Sequence, residues 1–511
     1  MTLKEFSTTP FTHLKDFNDN IFLVVHQSLV ERSQFSNISA FQNIKLSGNF
    51  SSFSYEQIYE ITKVIAGAMH AEGLVDQKLV PILTSNPFDI ILTSISLWRT
   101  NAVPVPLNIH LLKSELEEQI DFLKVENIIC ETNFANDFPS LKKFSSSNIP
   151  LNKSILSTDF QASDTAVLLF TSGTSGKPKA VPLSYDNLSS AYNAGDSVFN
   201  YSENDSWYLN LPLYHIGGFS ILVRAILAGS SIILPESNEL ETLKNNLEIV
   251  RPTLVSLVPT QLKRICETGV RPNIELRAVL IGGGFSDEMI LTQAANLGCK
   301  IYKVYGSTET SAFVTVLTPD DIFQKPKSIG KPLKNVEIKI FDEQRNILPA
   351  NEAGEIGIKA PSIFSSYLKN ETDSDAAFYN QFYLTGDFGF FDTDGYLYLE
   401  NRRTDLIVSG GENIPPIEIE QAISLFPNID EVCVFGLPDK EWGEIVAAVF
   451  SSKDGSQLES SELKIFLKKK LAAFKVPKRY FQLDSLPKTA IGKIKRSELK
   501  KQFSRSTSSR T

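Results

Sequence analysis

Residues 168–183, LLFTSGTSGKPKAVPL, combine the residue types that bind a polyphosphate. An apolar run leads directly into small hydroxyl residues, two glycines and two lysines. Glycines let a backbone approach a ligand closely, and backbone N–H groups, hydroxyls and ammonium groups donate hydrogen bonds to phosphate oxygens. A P-loop has four residues between its glycines and Ser or Thr after its lysine. Here two residues separate Gly173 from Gly176, and a proline follows Lys177, which predicts phosphate binding without a P-loop.

Two further motifs place a carboxylate in a glycine-containing turn. Tyr305-Gly-Ser-Thr-Glu-Thr310 follows an apolar stretch that predicts a strand, so it lies at a carboxyl end, where α/β sheets bind ligands. Its Glu309 suits a Mg²⁺ ion held mainly by phosphates and water, and Tyr305 can stack on a base. In Tyr383-Leu-Thr-Gly-Asp387 the carboxylate can hold both hydroxyls of a ribose. Each motif alone is also typical of an ordinary polar turn.

Two segments near the C-terminus complete the set. Residues 402–420, RRTDLIVSGGENIPPIEIE, contain a glycine pair and a proline pair, which predict a tightly specified turn between two elements. Residues 487–496, PKTAIGKIKR, form a basic stretch whose alternative interpretation is a solvated surface.

These five segments, in this order, resemble the acyl-adenylate-forming superfamily, which includes acyl-CoA ligases, amino-acid adenylation domains and beetle luciferases. The resemblance extends from about residue 50 to about residue 500. It implies a reaction in two steps with ATP, Mg²⁺ and CoA. A carboxylate attacks the α-phosphate of ATP to give an acyl-adenylate and pyrophosphate, and a thiol then displaces AMP.

The resemblance also implies roles for individual residues. For ATP it implies a β,γ-phosphate clamp of Thr171, Ser172, Gly173, Thr174, Ser175, Gly176, Lys177 and Lys179, an adenine site of Gly283, Gly284 and Tyr305, and ribose contacts from Asp387 and Arg403. Thr308 would contact the α-phosphate, and Glu309 would bind Mg²⁺. Lys493 would reach in from the small domain and stabilise the charge that builds up in the adenylation transition state.

The second half-reaction is implied to use the turn around residue 410. Asp405 matches the position of a hinge that swings the small domain, which would present Gly410, Gly411 and Glu412 to the thiol step. Many members carry a lysine where this chain has Ser409, so Ser409 receives no role.

The acyl pocket is expected between residues 211–224 and 282–307, with His215, Arg224, Gly282, Gly306 and Ser307 as its substrate-binding residues. Arg224 is the only charged residue of the apolar stretch 219–228 and lies about 2.5 helical turns after His215. It is interpreted as a bidentate partner for a second carboxylate on the substrate. The alternatives are an internal ion pair or a snorkelling side chain for Arg224, and a helix-capping role for His215.

Within the superfamily, four stretches resemble the CoA ligases of an aromatic keto acid with two carboxylates. They are HIGGFS from His215 with its cation nine positions on, residues 255–262, the triple glycine 282–284 and residues 409–414. Other aryl, dicarboxylic or medium-chain acyl-CoA ligases share much of this pattern. An amino-acid adenylating module that loads a carrier protein is a weaker alternative, because no acidic anchor for an α-ammonium group is recognisable in the sequence.

The elements that must position these residues alternate between helix and strand. A helix at 54–73, a strand at 79–83, a helix at 87–98 and strands at 102–106, 253–258, 278–281 and 300–304 predict layered α/β sheets, largely parallel. Strands at 336–341, 354–359 and 396–400 predict a β-rich subdomain. Strands at 431–435 and 447–451 and a helix at 461–474 predict an α+β domain.

We therefore expect an α/β fold with a large N-terminal domain at 1–402, its β-rich subdomain at about 325–402, and a small mobile α+β domain at 406–503. Residues 403–405 would be the hinge between them, and residues 504–511 a disordered tail. The length of 511 residues agrees with more than one domain.

Composition excludes several classes of protein. A net charge of −9 argues against a general nucleic-acid binder, and the first 20 residues lack the apolar segment of a signal peptide. Polar residues interrupt the apolar stretch 79–97, so no membrane insertion is expected. The four scattered cysteines fit reduced residues of a cytoplasmic enzyme. Its partners would be a small carboxylic acid, ATP and CoA, and the sequence leaves open whether it forms a homo-oligomer.

Overall fold

The computed structural model describes residues 16–36, 45–111, 113–144, 161–171, 179–237, 239–268, 273–283, 288–402, 407–409, 412–414, 416–439, 442–471, 473–489 and 492–507. Its contacts divide the chain into two compact units. The first unit is Met1–Glu337 with Lys359–Gln381, and the second is Ile338–Ile358 with Phe382–Thr511. The predicted hinge at 403–405 lies outside the described residues, and the predicted domain boundaries stay a prediction.

The first unit is built on a ten-stranded sheet whose six central strands are parallel. In order across the sheet its strands are Lys331–Pro332, Ala312–Leu317, Ile301–Ser307, Ala278–Ile281, Leu254–Leu257, Ser206–Tyr208, Ser231–Leu234, Ile21–His26, Phe50–Ser54 and Lys45–Ser47. The helices of this unit are Gln27–Glu31, Tyr55–Ala71, Pro87–Trp98, Lys113–Leu123, Tyr185–Phe199, Ile216–Ala228, Leu240–Ile249, Pro259–Thr268, Glu288–Asn296 and Glu371–Ala376. The predicted α/β fold with largely parallel strands is confirmed.

A second, all-parallel sheet lies in the same unit, with strands Val103–Pro106, Leu79–Leu83, Asn127–Cys130 and Lys142–Lys143 in that order. The antiparallel hairpin Thr165–Thr171 and Lys179–Ser184 packs against it, because Leu168 and Ala180 belong to the hydrophobic core of that sheet. This contact anchors both ends of the predicted phosphate loop on buried structure.

The second unit contains two sheets, and within the second of them Arg479–Gln482 pairs in parallel with Gly443–Ser452. Strands Glu337–Phe341, Gly354–Lys359, Phe382–Phe391 and Leu397–Arg402 form one sheet. Strands Glu412–Ile414, Ile407–Ser409, Gly443–Ser452 and Ile429–Asp439 form the other, with Arg479–Gln482 paired to Gly443–Ser452. Successive residues of the two long strands of this second sheet point to opposite faces and enter two separate cores. One core includes helices Pro416–Ser424 and Ser460–Lys468, and the other includes helix Arg496–Thr507.

Two predictions about the second unit differ from the structure. The helix predicted at 461–474 ends at Lys468, because the N–H of Lys469 turns back to Phe466 O in a tighter i+3 bond. Residues 504–507, predicted to be disordered, continue the last helix to Thr507, while residues 508–511 lie outside the described residues.

All four cysteines are free thiols. None of the helices in the described ranges is both long and apolar enough to cross a membrane.

Candidate active site

The two ends of the predicted phosphate loop are adjacent in space. Thr171 is the cross-strand neighbour of Lys179, and its hydroxyl lies 3.5 Å from Lys179 O. The residues between them, 172–178, lie outside the described part of the chain; they include the predicted clamp residues Ser172, Gly173, Thr174, Ser175, Gly176 and Lys177. The hairpin therefore places Thr171 next to Lys179, as a loop that encloses a phosphate requires of its two ends.

Lys179 has two partners that sequence reasoning missed. Its ammonium lies 2.9 Å from Asp373 Oδ2 and 4.7 Å from the ring centre of Tyr367. The bond from Lys179 lowers the pKa of the Asp373 carboxyl. These partners are almost two hundred residues away in the chain, so no local sequence signal links them to the loop.

The motif at residues 305–310 continues the strand Ile301–Ser307 into a tight turn. Only glycine fits at 306, because a Cβ there would lie 1.8 Å from Ala312 O. The turn is closed by Thr310, whose hydroxyl accepts a bond from Ser307 N at 2.8 Å and donates to Ala312 O at 2.7 Å. Thr308 is half-buried on this turn, and Tyr305 is half-buried on the strand; their ligand contacts stay predictions.

Glu309 is the carboxylate of this turn and is only 9% exposed. Its Oε1 accepts a hydrogen bond from Tyr367 OH at 3.1 Å, and its backbone carbonyl accepts one from Phe364 N at 2.8 Å. No group of three or more His, Cys, Asp or Glu suited to a metal occurs within the described ranges. A single oriented carboxylate fits Mg²⁺, which keeps most of its shell from phosphates and water.

The glycines after strand Ala278–Ile281 leave room beside the same motif. A Cβ on Gly282 would lie 2.9 Å from Val304 Cγ2, in the strand that carries Tyr305. Gly283 has a φ of +77°, a conformation that glycine adopts without strain. Gly284 lies outside the described residues. The predicted adenine site stays a prediction.

Arg224 is buried inside helix Ile216–Ala228, with 4% of its surface exposed. Its guanidinium lies 4.7 Å from the ring centre of Phe313 and 5.5 Å from that of Trp207. No carboxylate within 4 Å and no hydrogen-bond acceptor is found for it among the described residues. Burial lowers its pKa. The internal ion pair that the sequence allowed is therefore absent from this part of the chain.

Further polar atoms without a partner lie near Arg224. Burial raises the pKa of Tyr201 to about 12, and the positive charge of Arg224 opposes this shift. The hydroxyls of Tyr201 and Tyr192, whose rings are 5.5 Å apart, and the indole N–H of Trp207 have no hydrogen-bond partner within the described residues. A buried donor without a partner is costly, and Arg224 thus lies among polar groups whose hydrogen-bonding capacity is unused within the described residues.

His215 occupies the N-cap position of the same helix, but its side chain makes no capping bond. Its Nε2 is buried without a partner among the described residues, and its ring packs edge-on against Tyr214 at 4.8 Å. The capping alternative is therefore not what the structure shows. Burial lowers the pKa of His215 to about 4, so the imidazole is neutral near pH 7.

This shift predicts acid sensitivity. Because the folded-state pKa lies below the ordinary value of 6.5, the stabilising contribution is present above pH 6.5 and is lost as the pH falls through about 4. The contribution is about 3 kcal/mol at most. We expect His215→Asn to flatten the fall in unfolding free energy between pH 6.5 and 4.5, measured by urea denaturation. His70→Asn, at an exposed helical position, should not, and equal curves for His215→Asn and the native chain would contradict the account.

The remaining predicted residues lie in the second unit. Asp387 is 6% exposed and follows Gly386, which has a φ of +71°. The backbone N–H of Asp387 donates to Thr385 Oγ1 at 3.0 Å, so the carboxylate lies at a local irregularity within the strand Phe382–Phe391. Arg403 and Asp405 lie outside the described residues.

Lys493 lies in an exposed turn whose backbone is held by two hydrogen bonds to Thr489. Thr489 N donates to Lys493 O at 2.7 Å, and Lys493 N donates to Thr489 Oγ1 at 3.1 Å. Ser409 is paired with Glu412 on one neighbouring strand and with Gly443 on the other. This pairing fixes the two ends of the turn that contains Gly410 and Gly411. Both glycines lie outside the described residues.

Comparison with known proteins identifies the family. Residues 33–368 match the model of the AMP-binding enzymes, and residues 418–493 match that of the AMP-binding enzyme C-terminal domain. This chain belongs to the AMP-binding enzyme family. It is an ATP-dependent acid–thiol ligase, as its motifs predicted.

Several similar proteins are named as CoA ligases of 2-succinylbenzoate. A 2-succinylbenzoate–CoA ligase of Listeria monocytogenes serotype 4b is 33% identical over 465 residues, which cover 88% of this chain and 94% of that protein. A 2-succinylbenzoate–CoA ligase of Bacillus cereus strain Q1 is 32% identical, and the match covers 88% of this chain and 93% of that protein. The o-succinylbenzoate CoA synthetase of Bacillus subtilis, solved with its acyl-adenylate intermediate, superposes with a TM-score of 0.85 at 27% identity and covers 96% of this chain and 98% of its own.

Proposed function

We propose that this ligase joins o-succinylbenzoate to CoA through an acyl-adenylate. The observation that carries the proposal is the buried guanidinium of Arg224, which has no anionic partner within the described residues. A buried cation without a counter-charge is unfavourable, so the pocket is suited to a ligand that brings a carboxylate. o-Succinylbenzoate has two carboxylates. The relatives that act on it by name support this choice.

The proposed arrangement assigns a task to each carboxylate. The benzoate carboxylate pairs with Arg224, whose planar guanidinium can donate two parallel hydrogen bonds. The succinyl carboxylate is then the one activated. The aromatic rings of Trp207 and Phe313 flank the guanidinium at 5.5 and 4.7 Å and give the benzene ring an apolar environment. His215 and Gly282, Gly306 and Ser307 complete the proposed pocket, with neutral His215 as its gate.

In the first step an oxygen of the succinyl carboxylate forms a bond to the α-phosphorus of ATP, and the bond to the bridging oxygen breaks, releasing pyrophosphate. We propose that Lys493, Thr308 and the clamp from Thr171 to Lys179 stabilise the negative charge that develops on the phosphate oxygens. Asp387 and Arg403 hold the ribose, and Tyr305, Gly283 and Gly284 hold the adenine. Glu309 would hold Mg²⁺, which would neutralise phosphate charge when bound.

In the second step the thiolate of CoA attacks the acyl carbonyl, and the bond to AMP breaks, releasing AMP and the thioester. We propose that the turn of Gly410, Gly411 and Glu412 serves this step after motion at Asp405. Free thiols throughout the chain, as well as the use of ATP and CoA, support a cytoplasmic location.

A panel of acids tests this function. The protein is incubated with ATP, Mg²⁺ and CoA and with o-succinylbenzoate, benzoate, cinnamate, a medium-chain acid or an amino acid, and the thioesters are identified by mass. We expect o-succinylbenzoyl-CoA to form at least about tenfold faster than any other product. A rate with benzoate or cinnamate as high as that with o-succinylbenzoate would favour the broader alternative of another aryl or medium-chain acyl-CoA ligase.

A further inference from the structure

Residues 361–376, here called the bridging segment, connect the two ATP-binding motifs proposed in the first unit. The segment is hydrogen-bonded to both motifs along its backbone. The bonds are Ser311 Oγ to Ser362 O at 2.7 Å, Phe364 N to Glu309 O at 2.8 Å, and Leu368 N to Ala180 O at 2.9 Å. One continuous stretch of chain thus spans the distance between the turn of Glu309 and the strand that begins at Lys179.

Tyr367 lies at the middle of the bridging segment and contacts both functional side chains. Its hydroxyl donates to Glu309 Oε1 at 3.1 Å, and its ring lies 4.7 Å from the ammonium of Lys179. Only 7% of Tyr367 is exposed, and its backbone N–H is held by Ser374 Oγ at 2.9 Å, so the ring has little freedom to move.

The same segment supplies the counter-charge of Lys179. Asp373 lies in the first turn of helix Glu371–Ala376, and its ion pair with Lys179 is 2.9 Å long. Asn370 orients this carboxylate by donating to Asp373 Oδ2 at 2.9 Å. Lys179 and Glu309, which carry opposite charges, therefore have separate partners instead of each other. A direct ion pair between them would occupy the groups that phosphate and Mg²⁺ require.

We propose that Tyr367 is a positioning residue for adenylation, because its hydroxyl orients the carboxylate of Glu309 and its ring holds the ammonium of Lys179 at a fixed separation from it. The proposal rests on the roles proposed above for those two residues. It does not depend on which acid the enzyme activates.

Two variants separate the two contacts. Tyr367→Phe keeps the ring and removes the bond to Glu309, and a hydrogen bond to a charged group corresponds to about a tenfold effect or more. We expect the Mg²⁺ concentration for half-maximal pyrophosphate exchange to rise about tenfold. The KM for ATP at saturating Mg²⁺ should change by less than about threefold. Tyr367→Leu removes the ring as well and should raise this KM severalfold further.

Binding supplies a readout independent of turnover. In calorimetric titration with MgATP and no acid, the native protein should bind most tightly. Tyr367→Phe should bind more weakly, and Tyr367→Leu should bind most weakly. Tyr398→Phe is the matched control, because it removes another tyrosine-to-carboxylate bond, to Asp392 Oδ2 at 3.2 Å, and should leave both readouts unchanged.

The exchange assay uses whichever acid the native chain activates best, so failure of the o-succinylbenzoate assignment leaves this test intact. A Tyr367→Phe protein with the native Mg²⁺ dependence and native MgATP affinity would overturn the proposal. Loss of activity in both variants in proportion to the folded fraction, with unchanged Mg²⁺ and ATP constants, would also overturn it, since that pattern indicates a purely structural tyrosine.

Discussion

Lys493→Ala is expected to lower the rate of adenylate formation by about 10²- to 10³-fold, the range seen when a positioned group that stabilises transition-state charge is removed. Thioester formation from preformed acyl-adenylate should stay within about twofold of the native rate. The first rate is measured by pyrophosphate exchange, and the second by single-turnover reaction of synthetic acyl-adenylate with CoA.

The reason lies in where Lys493 sits. Two hydrogen bonds to Thr489 fix the backbone of its turn, and the side chain is exposed. An ammonium placed at the α-phosphate lowers the energy of the transition state more than that of the bound substrates, because charge concentrates there during attack. CoA transfer has no such requirement at that position.

Lys495→Ala is the matched control for this prediction. It removes an exposed lysine two positions away whose partner is Glu498 at 3.2 Å, and both half-reactions should proceed at native rates. Equal losses in the two half-reactions of Lys493→Ala would remove the proposed role of Lys493.

Arg224→Leu should lower kcat/KM for o-succinylbenzoate by about 10²- to 10³-fold, because the distal carboxylate would then be buried without a partner. For 4-oxo-4-phenylbutanoate, which has the same succinyl group but no ring carboxylate, the loss should be less than about threefold. Both values come from steady-state thioester formation with saturating ATP and CoA.

Stability distinguishes this role from a structural one. Since Arg224 has no anionic partner among the described residues, its removal relieves a buried charge, and the melting temperature of the ligand-free protein should not fall. Arg99→Leu is the matched control. Arg99 is also buried, at 5% exposure, and lies 4.1 Å from the ring centre of Tyr59, but it donates to Tyr59 O at 2.7 Å. Its loss should destabilise the fold without changing the preference between the two acids.

Elements with strong local signals were predicted to the residue. The helix Pro87–Trp98 begins as expected because Asn86 accepts a bond from Phe88 N and Pro87 occupies the first turn. The strands Leu79–Leu83 and Ala278–Ile281 are short apolar runs buried in parallel sheets. The helix at 460–468 is shorter than predicted, because its apolar spacing continues past the residue where the backbone turns tighter.

The candidate site was predictable only where its residues form local motifs. Thr171, Glu309, Asp387 and Lys493 belong to such motifs, and their individual roles stay predictions. Tyr367 and Asp373 were missed, since their partners lie 58 and almost two hundred residues away and only tertiary packing joins them. The aromatic environment of Arg224 was missed for the same reason. Trp207 and Phe313 come from separate strands, and neither is near Arg224 in the sequence.

Selection of an acid with a second carboxylate is measurable as one ratio in the native protein. That ratio is kcat/KM for o-succinylbenzoate divided by kcat/KM for 4-oxo-4-phenylbutanoate, with thioester formation as the readout. We expect a ratio of about 10² or more, because the buried cation Arg224 can pair with a ring carboxylate that only o-succinylbenzoate carries. A ratio near one would contradict it.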